Sequence, residues 1–151
     1  MASNYWVSTH ARQCIWSKEK VEQSNLKDKE VLSPRELTIL RIYFSYQIKE
    51  LTRLLAMRPR VMATACTYFK RFYLETSFRD YDPVLIAPTC VYVAAKVEEC
   101  TTQVRRVTVK ANQLEPKLFG YGTETILDHE YVVMQRLGFN LQVWHAHRSL
   151  P

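Results

Sequence analysis

The sequence predicts an all-α fold, five helices with the third at the centre, preceded by an N-terminal helical extension. Three observations carry this. Apolar residues return at three- and four-residue steps through most of the 151 residues. Prolines follow Ser33, Arg58 and Asp82, at positions where a helix start already lacks a partner for the missing N–H. The stretch DPVLIAPTCVYVAAKVEE, residues 82–99, is apolar or small on almost every face until Lys96, and a helix of that kind has to be surrounded by others.

From Asn4 to Glu30 the residues Trp6, Ile15, Trp16 and Val21 are scattered among many charges, which predicts one weakly amphipathic helix followed by the polar run SNLKDKE. Its two tryptophans either dock on the domain or meet a partner. Ser33, Pro34 and Glu36 form a capping box with proline at the first helical position. Leu37, Leu40, Phe44, Ile48, Leu51 and Leu55 then make one stripe over five turns, with a basic polar face opposite. Pro59 opens the second helix, whose stripe is Met62, Cys66, Phe69 and Phe72/Tyr73, ending near Ser77. Asp82 caps the central third helix, and Pro88, one turn further in, predicts an early bend. A buried strand through VYV is the rival, but seventeen residues without a turn signal is long for one. Val104, Val107, Ala111 and Leu114 mark a shorter fourth helix before Pro116; GYGT is a loop. The fifth runs from Thr123 to Leu137, with Gly138 as its left-handed terminator and Phe139 folding back.

Several function classes are excluded. No apolar run approaches a membrane span, and MASNYWVSTHARQ lacks the apolar stretch of a secretory signal, so an intracellular chain with reduced thiols is expected. Gly120, Gly122 and Gly138 are the only glycines, too few and too scattered for a phosphate-cradling loop. His145 and His147 have spacing a metal could use but no third ligand close by, and His129 and Glu130, as neighbours on a helix, point in different directions. No nucleophile, base and orienter cluster emerges, so the sequence predicts no enzyme, catalytic residue, metal or cofactor. The net charge of +6 is local: residues 34–81 hold nine Lys and Arg against four Asp and Glu.

Two charges fall on apolar faces. Lys96 lies three and four residues after Val93 and Tyr92, and Glu130 lies within the stripe of Ile126, Leu127, Val133, Met134 and Leu137. An unpaired charge in a core is costly, so each is paired or sits at the rim. One reading pairs them with each other, or sets Lys96 against the C-terminal dipole of its helix. The other makes them a polar anchor for another protein, with Glu98 and Glu99 nearby; both can hold together.

TACTYFKRFYL (64–74), residues 82–99 and LDHEYVVMQRLGFNLQVWHAHRSLP (127–151), in that order, resemble the N-terminal box of the cyclin family. NYWVSTH (4–10), APTC (87–90) and the terminal HRSLP are similar, more narrowly, to its cyclin C branch, the transcriptional cyclins of the Mediator kinase module. The resemblance implies a five-helix cyclin fold with residues 33–139 as the box, 1–32 as the extension and 140–151 as the start of a linker to a second repeat that is absent. It implies a nuclear, non-catalytic subunit that binds and activates a cyclin-dependent kinase in RNA polymerase II transcription. By family pattern Lys96 and Glu130 hold the kinase, with Glu98 and Glu99 beside them and Tyr5 and Trp6 contributing from the extension. Neither a membrane nor a small-molecule substrate is implied. The tryptophan-containing patch by which cell-cycle cyclins hold substrates is not recognisable, and residues 100–122 match least. Two alternatives stay open. One is a nucleic-acid-binding transcription-factor core of the same helical fold, through Arg41, Lys49, Arg53, Arg58 and Arg60, although direct nucleic-acid binding is the less favoured reading. The other is a truncated, non-activating cyclin.

Overall fold

A computed structural model describes residues 4–24 and 26–145. All regular elements among them are helical. A 3-10 turn at Tyr5–Val7 leads into α1 (Thr9–Gln13), α2 (Lys18–Gln23) and α3 (Leu26–Lys29). The five long helices are α4 (Pro34–Leu54), α5 (Pro59–Glu75), α6 (Pro83–Val97), α7 (Val104–Leu114) and α8 (Thr123–Arg136). They correspond to the five helices expected.

The extension departs from expectation. Residues 4–30 do not form one helix, because Ser8 and Ser17 each cap a new start: their hydroxyls accept the N–H groups of Ala11 and Lys20. The polar run is not simply solvated either. Asp28 is 1% exposed, and its carboxylate accepts hydrogen bonds from the Ser77 hydroxyl and, at 3.1 and 3.2 Å, from the Phe78 N–H. Lys27 adds an ion pair to Asp80 at 2.9 Å. The extension is therefore tied to the loop that follows α5.

α6 is the hub. Eleven of its fifteen residues are buried, and it packs against α4, α5, α7 and α8. Asp82 caps it through the Val84 N–H at 2.9 Å. The helix runs on through Pro88, as a helix and not the rival strand. Burial pushes the Cys90 thiol well above its ordinary range and the Cys66 thiol upward too, so both act as small apolar groups.

The α4 stripe is as read, with Leu37, Phe44, Ile48, Leu51 and Leu55 buried and Leu40 half-buried against them. The α5 stripe is rotated. Val61, Thr64, Ala65, Tyr68, Phe69, Phe72 and Tyr73 are buried, while Met62 and Cys66 lie at its edge, because α6 and α4 cover adjacent sides of α5.

Three helices end in the same way. After α8, the Phe139 N–H bonds to the Met134 carbonyl and the Gly138 N–H to that of Gln135, with Gly138 left-handed at φ 58°. α4 and α6 close likewise, but with Ala56 and Glu99, both at φ 53°, in the left-handed position. A Cβ there is strained by roughly 1–2 kcal/mol, partly offset by the chain entropy a glycine would lose. Ala56→Gly is therefore expected to stabilise the chain by about 1 kcal/mol, raising the thermal midpoint by about 2–4 °C in a melting experiment.

Candidate functional site: the rim of α6 and α8

Lys96 occupies the last turn of α6, one residue beyond its fully buried run, and Glu130 the middle of α8. The packing of those helices brings the two together. The ammonium donates to both carboxylate oxygens, at 2.7 and 2.9 Å, with the lysine side chain 43% and the glutamate 15% exposed. Lys96 also lies 4.3 Å from the centre of the Tyr92 ring. Partial burial works against the lysine's charge, but the hydrogen bond to Glu130 and the neighbouring Tyr92 outweigh it, and the ammonium is held above its ordinary value. The pair is thus satisfied internally, as the first reading of these charges has it, and the lysine side chain is still reachable from solvent. Around it, Leu127 and Tyr131 of α8 stand exposed, and Phe139 sets its exposed ring against Tyr131 with 6.1 Å between centroids.

The other expected contact residues fall differently. Glu99 is exposed, three residues after Lys96. Glu98 turns inward: one carboxylate oxygen takes the Arg60 Nε at 2.6 Å, and the other accepts from the Thr64 hydroxyl at 2.7 Å. Its side chain is only 9% exposed, so it fastens the end of α6 to the start of α5. Tyr5 lies half-buried against His10 and Trp144, while Trp6 projects into solvent at 75% exposure. Trp16 is half-buried, its ring covered by the Lys20 ammonium at 3.8 Å. Of the two tryptophans left open above, Trp6 is the one free to meet a partner.

Of the five basic residues considered for nucleic acid, Arg53 is paired with Glu50 and Arg60 with Glu98. Arg41, Lys49 and Arg58 are in no ion pair among the described residues, so the available basic face is smaller than the sequence suggests. No cluster of metal-ligating side chains is present among the described residues, and His147 lies outside them.

Sequence reasoning missed a second apolar face on α4. Ile39, Ile42, Tyr43 and Tyr46 are exposed at helical spacing, next to an apolar cavity of about 40 Å³ lined by α4, α6, α7 and the loop after it. At its edge Glu115 accepts hydrogen bonds from Tyr43 and Gln47, both at 2.6 Å. The buried and the exposed apolar residues of α4 follow the same helical period, so spacing alone does not tell one face from the other.

The family model of the cyclin N-terminal domain matches residues 12–142. Rat cyclin-C is 38% identical over 161 residues, and rice cyclin-C1-1 is 35% identical over 153, each aligned with 99% of this chain. The chain spans 55% and 59% of the lengths of those relatives. In fold it is similar to a chain of the yeast TFIIK (Kin28/Ccl1/Tfb3) complex, with a TM-score of 0.77 and 23% identity, covering 95% of this chain and 60% of that one. A chain of the CAK complex of Chaetomium thermophilum bound to ATP-gamma-S gives the same TM-score at 21% identity, covering 96% and 50%. With its five-helix box built around α6 and that match over residues 12–142, the chain belongs to the cyclin family through its N-terminal domain.

Proposed function

We propose that the chain is a regulatory, cyclin C-like subunit that binds a cyclin-dependent kinase acting in RNA polymerase II transcription and shifts it towards its active conformer by binding that conformer better. The observation that carries the reading is the Lys96–Glu130 pair, joined at the rim of α6 and α8 and flanked by exposed Leu127 and Tyr131. An isolated structural ion pair needs no apolar surround open to solvent; a docking surface does. Glu99 on the same turn, and Tyr5 and Trp6 on the extension, complete the proposed contact. Glu98 acts indirectly, by holding the turn that presents Lys96. The kinase is that of the Mediator kinase module, the setting is the nucleus, and the chain supplies no catalytic group of its own.

The test is a charge exchange, Lys96→Glu with Glu130→Lys. The exchanged residues still pair with one another, so helicity and melting temperature should stay near wild type, while the polarity offered to the kinase is reversed. Co-purification with the kinase is expected to fall by about tenfold or more, as measured for a like-charge contact across an interface. Undiminished kinase binding by the exchanged chain sinks the reading.

A further inference from the structure

His10 sits in α1, and its Nδ1 lies 3.0 Å from the backbone N–H of Trp144. A backbone N–H only donates, so Nδ1 is the acceptor and the ring must be free of a proton there. Tyr5 packs edge-on against both the His10 and the Trp144 rings, at 5.5 and 5.9 Å. The extension thus meets the segment after α8 through one hydrogen bond and one ring contact, Tyr5 on Trp144, while Tyr5 also braces the His10 ring from within the extension. That segment is independently fixed to α5, since the Tyr68 hydroxyl donates to the Leu141 carbonyl and Arg71 to that of Asn140. We propose that His10 is the latch of a proton-gated dock: neutral, it holds the Tyr5–Gln13 segment on Trp144, and protonated, it releases that segment while the five-helix box stays folded.

A proton on Nδ1 sets two N–H groups against each other, and the new charge faces Arg71 of α5 and the His145 ring. Burial first, then Arg71 and His145, hold His10 below its ordinary value of 6.5. The sign follows. The docked state is fully favoured above pH 6.5 and loses ground as pH falls through the lower value of the docked histidine. The segment after α8 has anchors that do not involve His10: besides the Tyr68 and Arg71 bonds, His145 Nε2 lies 2.7 Å from the Thr64 hydroxyl of α5. Loss of the His10 bond therefore loosens the extension and leaves that segment held on α5. Trp144 Nε1, buried without a hydrogen-bond partner among the described residues, gains water on release.

Trp6→Phe with Trp16→Phe leaves Trp144 as the reporter. Its emission is expected to shift to the red, and its quenching by iodide to rise, along a one-proton curve with a midpoint below pH 6.5, while far-UV circular dichroism stays unchanged. His10→Asn places a non-titrating acceptor near the Nδ1 position and should keep Trp144 covered throughout; His145→Gln should retain the transition. The proposal is overturned by a flat response in the parent, by an unaltered transition in His10→Asn, or by helicity lost at the same pH. The measurement uses the free chain, so its outcome is independent of whether Lys96 and Glu130 hold a kinase.

Discussion

Replacement of Tyr73 by alanine is expected to cost about 4 kcal/mol, a large share of the roughly 5–15 kcal/mol that holds a domain of this size together. The side chain is 1% exposed at the centre of an aromatic cluster. It stacks on Phe78 at 4.1 Å and 15°, and meets Phe69 at 4.9 Å and Phe72 at 5.1 Å. Truncation opens a cavity among rings too large to close over it. The hydroxyl adds a separate term, because it donates to the Tyr81 carbonyl at 2.9 Å in the connection to α6. Tyr73→Phe removes only that bond and should cost about 1 kcal/mol. Chemical denaturation of the two variants separates the contributions; equal losses would mean that the hydrogen bond, not the ring, anchors this region.

Asp28→Ala is expected to have the next largest effect, a loss of about 3 kcal/mol with its main consequence in the extension. The variant leaves the Ser77 hydroxyl and the Phe78 N–H without their buried acceptor. Residues 4–30 should become the first site of limited proteolysis while the box keeps its helicity. Asp28→Asn retains one acceptor oxygen and should lie between wild type and alanine. Wild-type resistance of the alanine variant to protease would show that the Lys27–Asp80 pair suffices to hold the extension.

How far these features are legible in the sequence depends on the distance over which their causes act. Four of the five long helices are readable because each carries its cause within a turn or two: the Ser33–Glu36 capping box, proline at the first position of α4, α5 and α6, and Gly138 after α8; α7, with no side-chain cap, is readable from its apolar spacing alone. Lys96 and Glu130 were readable because each breaks an apolar stripe, a local anomaly, although their meeting depends on the packing of α6 against α8. Asp28 was not readable, since its partners lie 49 and 50 residues away and nothing in SNLKDKE marks it as buried. Glu98 belongs to the same class: Arg60 and Thr64, from another helix, decide that it faces in while Glu99 faces out. The left-handed Ala56 and Glu99 escaped because the glycine that usually announces such an ending is missing at both.

A helix covered on nearly all sides has few positions at which it can speak to anything outside the molecule. In α6 those positions are gathered at the carboxyl end, where the chain turns through Glu99 and where Lys96 is already gripped by Glu130. In the proposed complex a protein arriving there would meet side chains whose rotamers are set beforehand, and little of its binding energy would go into ordering them. It would also meet a surface that cannot drift without disturbing the core, which would tie the accuracy of that recognition to the integrity of the fold.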